Sequence, residues 1–306
     1  MKKILLISLS LLVMFTACDI KEDRDDCPGG ETRIQVYVEK FQHEEGRSIP
    51  ENSEAQFNTR IHSIYYYLYK GDDLQEQGVL DATDISAQTY TFTYPSLSYG
   101  DYTLVLLGNT ENNMPSRSIP EMDLVYPGYA VTEDYFRDSF DFTVSDPDGH
   151  AYVTQLQRVQ GVVRFTFLNM PAHITGIDVS LDELSSHSFR DGSYTDEYTF
   201  SRYLPQSDLV RDENNVVSFS VLTFPTLEDE RTSWRVKLYR DGSEQPYFDR
   251  VVLTDLQALR NQLLDLVMDF GELGDGGSFR YYVNLDGLWD GWHDIKVPVD
   301  GPNVWN

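Results

Sequence analysis

Thr89-Tyr90-Thr91-Phe92-Thr93-Tyr94 alternates hydroxyl and aromatic side chains without a break and stops at Pro95. A period of two puts every second side chain on one face of an extended backbone, and aromatic residues suit a half-buried pleat. Proline ends such a run because it has no N–H to give to a ladder. Similar runs recur along the 306 residues. Ile34, Val36 and Val38 alternate with Gln35, Tyr37 and Glu39, and further strands are predicted over 61–69, 102–107, 139–144, 152–156, 162–168, 177–181, 216–223, 234–239 and 248–253. Alternation returns at 264–270, 279–285 and 294–300. Asp241-Gly242 predicts a hairpin turn ahead of a strand over 246–253. Only 256–264 has helical character, with Thr254 or Asp255 as its N-cap.

A dozen or more short strands with no alternating helices predict an all-β chain of tandem β-sandwiches, not a parallel α/β sheet. At about 150 residues per domain the length suggests two domains. Asp146-Pro147-Asp148-Gly149 is a turn cluster and the expected edge between a domain at 32–150 and another at 151–306.

Formal net charge is −26. Nucleic acid is thereby disfavoured as a partner, because phosphate binding needs a concentrated basic surface. Electrostatic attachment to anionic lipid is disfavoured for the same reason. Two cysteines, Cys18 and Cys27, give no disulfide framework.

Residues 1–17 divide into a basic head (Lys2, Lys3), an apolar run from Ile4 to Phe15, and the small pair Thr16-Ala17 before Cys18. The apolar run falls short of the roughly 20 residues a membrane-spanning helix needs, and the three zones are those of a secretion signal. A signal ending in small-small-Cys resembles that of bacterial lipoproteins, in which the cysteine is acylated and becomes the mature N-terminus. Cys18 is the expected lipidation site. Residues 18–31 begin with an almost wholly charged stretch, which cannot bury apolar area and is expected to be a solvated tether. An acidic segment after the lipidated cysteine resembles the export signal of surface lipoproteins in Bacteroides-like bacteria.

Motifs for chemistry are lacking. The chain has no Gly-x-Ser-x-Gly elbow, no phosphate-cradling glycine loop and no His-Glu-x-x-His site. No cofactor and no metal are expected, and the chain is not expected to be an enzyme. Asp146, Asp148 and His150 could be drawn as a metal cluster, but Asp, Pro and Gly are turn formers and no distal calcium-loop Glu follows. Ser185-Ser186-His187-Ser188 lacks an acid partner and is expected to be loop. Trp289 and Trp292 suit either a sugar-stacking platform or packing within a core.

Cys18-Asp19-Ile20-Lys21-Glu22-Asp23-Arg24-Asp25-Asp26-Cys27-Pro28 resembles the start of mature FimB-like fimbrial anchor lipoproteins of Bacteroidales, relatives of the fimbrillins. That family shows a lipidated Cys, an acidic pair, and a Cys-Pro some nine residues on; Arg24 stands where the family often has Leu. Leu156-Gln157-Arg158 within Gln155–Phe165 resembles the Leu-x-Arg segment that opens the family's second domain. The resemblance implies two transthyretin-like β-sandwich domains and a non-enzymatic role, tethering a pilus to the outer membrane through a β-strand interface with a fimbrillin shaft subunit. Residues 294–306 suit a donor strand, with Ile295, Val297 and Val299 entering the partner's groove and Val304 beyond the Asp300-Gly301-Pro302-Asn303 break. The same pattern equally suits a last strand paired within its own domain. Shaft subunits of this layout are cut after an Arg in the loop behind the first strand. Arg47 and Arg60 lie in that loop here, but an anchor needs its first strand, so Arg47 is not expected to be processed. A surface glycan-binding lipoprotein is the rival reading.

Overall fold

The computed structural model describes residues 29–38, 61–81, 83–85, 89–110, 123–124, 134–189, 191–240, 242–270, 280–286 and 294–297. Strands dominate. They are β1 (Thr32–Val38), β2 (Ser63–Lys70), β3 (Asp73–Asp81), β4 (Tyr90–Tyr94), β5 (Gly100–Gly108), β6 (Asp123–Leu124), β7 (Phe136–Val144), β8 (His150–Arg158), β9 (Gly161–Leu168), β10 (Ile174–Ser188), β11 (Tyr194–Pro205), β12 (Val217–Thr223), β13 (Thr232–Arg240), β14 (Phe248–Leu256), β15 (Leu263–Asp269), β16 (Arg280–Asp286) and β17 (Asp294–Val297). Among the described residues the one helical element is a 3-10 turn at Gln206–Asp208.

The first seven-stranded path runs β3-β2-β5-β7-β8-β1-β4. Phe92 of β4, at one end, sits 5.1 Å from Tyr66 of β2, near the other, measured between ring centroids. The path has therefore folded over a shared core, which holds Ile34, Val36, Ile64, Leu68, Phe92, Leu104, Leu106 and Phe142. This is a β-sandwich, with the alternate residues of each strand turned inward. A second sandwich pairs the sheet β11-β10-β13-β14 with the sheet β12-β9-β15-β16-β17. Its core centres on Trp234, which is fully buried, with Phe165 and Phe167 at 6.0 and 6.3 Å between ring centroids.

The two sandwiches share one plan. β1 lies between β4, antiparallel, and β8, parallel. β9 lies between β12, antiparallel, and β15, parallel. The chain clusters into two compact units accordingly. The first holds β1–β5, β7 from Asp138 and β8 to Leu156; the second holds β6, Asn109–Arg137 and the chain from Gln157 onward. The Asp146–Gly149 turn joins β7 to β8 and is closed by Asp148 N–H donating to Asp146 Oδ1 at 2.8 Å.

The expected helix at 256–264 does not form. β14 runs through Leu256, the stretch 257–262 is a loop, and β15 starts at Leu263. Asp255 and Asn261 take φ of +62° and +57°, outside the right-handed helical region. Nine residues are too few to hold a helix in isolation, and neighbouring backbone outbids it. Asn261 N–H donates to the Gln160 carbonyl at 2.7 Å, and Thr226 N–H donates to that of Ala258 at 3.0 Å. The 234–239 and 246–253 strands do pair as a hairpin, but Leu238 opposite Phe248 leaves a longer connection than a two-residue turn.

Candidate subunit interface

β1 is the first strand of the described chain, and it is locked in place. Thr32, Ile34 and Val36 are fully buried. Five residue pairs bind the strand to β4 and seven to β8. The residues ahead of it are stitched as well. Gly29 N–H donates to Leu97 O at 2.6 Å, Gly30 N–H to Asp146 O at 3.2 Å, and the Glu31 carbonyl accepts from His150 N–H at 2.9 Å. A strand with partners on both sides cannot peel from an edge; all its ladder bonds must yield together.

Open sheet edges are where another chain can add a strand. In the first sandwich the ends of the path are β3 and β4. β3 is exposed at every residue but Gly78 and Leu80 and carries Asp73, Glu76 and Asp81, charges that discourage edge-to-edge pairing. In the second sandwich β11, β14, β12 and β17 stand at the ends. Of the expected donor residues, Ile295 and Val297 fall in β17 and pair with Val283 and Tyr281 of β16. The hairpin they form extends the β12-β9-β15 sheet beyond the shared plan, and Pro298 directly follows. Cys18, Val299 and Val304 lie outside the described residues, as do Cys27, Arg47, Arg60, Trp289 and Trp292.

The Leu156-Gln157-Arg158 segment has a clear structural task. Arg158, 3% exposed, pairs with the Asp134 carboxylate at 2.8 Å and lies over the Phe136 ring at 5.4 Å. Two residues on, the buried Gln160 Oε1 accepts from Tyr135 N–H at 2.7 Å. Gly161 follows because a Cβ there would stand 2.2 Å from the Leu259 carbonyl oxygen.

Ser185–Ser188 is not loop, as expected, but the far end of β10, paired with β11 and, at His187 and Ser188, with β6. The alternation here was hidden by hydroxyl side chains that satisfy themselves on backbone. Ser185 Oγ donates to Pro225 O, and Ser186 Oγ to Thr195 O at 2.6 Å. His187 is 2% exposed, packed among the rings of Phe189, Tyr194 and Phe224. Burial, with the nearby Arg137 charge, pushes its pKa down to about 4, against a smaller opposing pull from Asp191. The folded state thus binds a proton less readily than the unfolded chain. The stability from neutral His187 is fully present above about pH 6.5 and is lost as pH falls toward 4, up to about 3 kcal/mol. Urea midpoints measured from pH 7 to 4.5 will drop more for the wild type than for His187→Phe; equal drops would refute the assignment.

Catalytic geometry does not assemble around these residues. Among the described residues no group of three or more His, Cys, Asp or Glu could hold a metal ion. Asp146 and His150 serve the turn instead, His150 Nε2 accepting from Ser145 N–H at 3.4 Å.

Many solved structures share this fold, and three illustrate it. The fimbrial anchor protein Mfa2 from Porphyromonas gingivalis is 14% identical, with a TM-score of 0.51, covering 84% of this chain and 97% of that one. A candidate polysaccharide-binding protein from Bacteroides thetaiotaomicron is 13% identical, with a TM-score of 0.55 and coverage of 82% and 95%. A candidate adhesin from Bacteroides ovatus is 15% identical, with a TM-score of 0.53 and coverage of 90% and 97%. No curated protein is significantly similar in sequence. Residues 24–301, nearly the whole chain, match the fimbrillin-A associated anchor proteins Mfa1 and Mfa2, and the chain belongs to that family.

Proposed function

We propose that the chain holds a fimbria on the outer membrane, with acylated Cys18 in the lipid, residues 18–31 as an acidic spacer, and a β-strand interface to a fimbrillin shaft subunit. Membership of the anchor family supports the fimbrial role. The observation that carries the anchoring reading is β1, flanked by β4 and β8 and directly downstream of the spacer. Tension applied at Cys18 runs along this strand and loads both ladders in shear. Each backbone hydrogen bond contributes only about 1 kcal/mol net, but those flanking β1 must break at once. One acyl chain binds a membrane weakly, so stable attachment takes several chains. The chain's net charge of −26 adds no pull toward anionic lipid.

At the other end, residues 294–306 provide the strand for the shaft subunit. Main-chain bonds supply affinity, and Ile295, Val297 and Val299 fill alternate pockets. Among the described residues β17 is the outermost strand of its sheet, paired with β16 alone. A four-residue edge strand is readily exchanged for a partner.

Fractionation of cells carrying two variants tests both ends. Cys18→Ser is expected to leave the membrane fraction and to shed fimbriae into the medium. Deletion of 294–306 is expected to keep the membrane location and lose fimbrillin on co-purification. Cys18→Ser protein that still partitions with outer membranes would refute lipid anchoring, and fimbrillin retained by the deletion would refute the terminal interface.

A further inference from the structure

The outer face of the β11-β10-β13-β14 sheet carries a cavity that anchoring does not use. Ile177, Val179 and Leu181 of β10 point into the core, so Gly176 and Asp178 face outward. On the flanking strands Leu204 and Leu238 point inward, leaving Tyr203 and Tyr239 outside. Gly176 lies opposite Tyr239, and Asp178 opposite Tyr203. With no side chain at Gly176, the Tyr203 ring can lean across β10; a Cβ there would stand 2.7 Å from the Tyr203 hydroxyl. The two tyrosine rings meet nearly at right angles, 85°, with centroids 5.4 Å apart.

Thr175, Gln206 and the Gly242-Ser243-Glu244 turn complete the wall of an open depression of about 510 Å3. The turn is held down by Gly242 N–H donating to Thr175 Oγ1 at 3.3 Å. Ser243 Oγ caps the turn, accepting from Gln245 N–H and donating to Gln245 O, both at 3.1 Å. The site is thus built from rigid strands and a pinned loop. Tyr203 is 54% exposed, a large aromatic surface left in water by an otherwise well-packed sheet.

We propose that this cavity binds an uncharged carbohydrate. Its volume lies within the range of small-molecule sites, roughly 300–1,000 Å3, and its lining has their character, aromatic surface with a few converging polar groups. Two ring faces set at an angle match the apolar C–H faces of a pyranose. The tyrosine hydroxyls, the Gln206 amide and the Glu244 carboxylate have no hydrogen-bond partner among the described residues and are free for sugar hydroxyls. Charge selects against other ligands. No Lys or Arg lines the cavity, and Glu244 repels anions. Beneath Tyr203, Lys237 is already taken by Asp178 at 3.0 Å. A purely apolar ligand would strand the polar groups.

The test is calorimetric titration of the purified full-length chain with maltohexaose, cellohexaose and mannohexaose, with pentalysine as a cationic probe. Saturable, salt-independent binding of at least one hexasaccharide is expected. Tyr203→Ala should weaken it at least about ten-fold, and Gly176→Ala should weaken it by displacing the Tyr203 ring, whereas Tyr203→Trp should preserve it. Circular dichroism melts unchanged by Tyr203→Ala will separate a lost site from a lost fold. No binding of any hexasaccharide, binding indifferent to Tyr203→Ala, or binding of pentalysine alone would each overturn the proposal. These results are independent of fimbrial attachment, since no shaft subunit takes part.

Discussion

Arg158→Ala will destabilise the second unit by about 3–5 kcal/mol, the cost of stripping one partner from a buried ion pair. Arg158 is 3% exposed and Asp134 19%, so removing the guanidinium leaves a carboxylate with little access to water. The loss of contact with the Phe136 ring adds to it. Asp134→Leu alone will be similarly harmful, because it strands the cation. The double variant Arg158→Met, Asp134→Leu will recover much of the loss, since well-packed apolar pairs often equal a buried ion pair. Urea unfolding followed by circular dichroism of the wild type, Arg158→Met, Asp134→Leu and the double variant measures all four corners of this cycle. Additive losses, with no recovery in the double variant, would show that the two residues act separately.

The second large effect concerns β1. Under the proposed acylation of Cys18, a cut after Arg47 is expected to leave the body bound to the acylated fragment, because the ladders to β4 and β8 bridge the nick. Val36→Asp will abolish that hold. Val36 is fully buried between the two neighbours, and an uncompensated carboxylate there costs several kcal/mol. Membrane-bound protein in an Arg24→Lys background, which spares the spacer, can be digested with an Arg-specific protease and its fragment ends mapped by mass spectrometry. The wild-type body should sediment with the membrane and the Val36→Asp body should appear in the supernatant. Wild-type release on cutting would mean that β1 does not bear the load, and stronger fimbrial attachment after cutting would make Arg47 a processing site after all.

Much of this architecture was legible where period-two alternation is clean. Tyr90–Tyr94, 139–144 and 162–168 each lie within a strand, and the sandwich class follows from their number and the turns between them. Two long strands escaped notice and a third was read too short, for physical reasons. β3 is an edge strand whose side chains nearly all face water, so no apolar period marks it. β11 does alternate, with Tyr198, Phe200 and Leu204 against the core, but Asp196, Glu197 and Arg202 blur the pattern. β10 runs for 15 residues because a register shift at Leu181–Leu184, with Glu183 at φ +53°, carries it past the point where alternation breaks. The helical reading of 256–264 failed in the opposite sense: good local propensity lost to hydrogen bonds from Gln160 and Thr226, which sequence spacing does not reveal. The tyrosine cavity depends on a glycine lying between two strands far apart in the chain, and no local pattern signals that.

The parallel partner of β1 also sets a timetable. Thr32 pairs with His150, 118 residues later, and Val162 pairs with Leu263, 101 residues later. Neither sandwich can close until its last long strand has been delivered. Topologies dominated by such distant pairings fold in milliseconds to seconds, not microseconds. Under the proposed anchoring, a slow-closing chain would stay threadable during export, with its leading end open to acylation before the body becomes rigid.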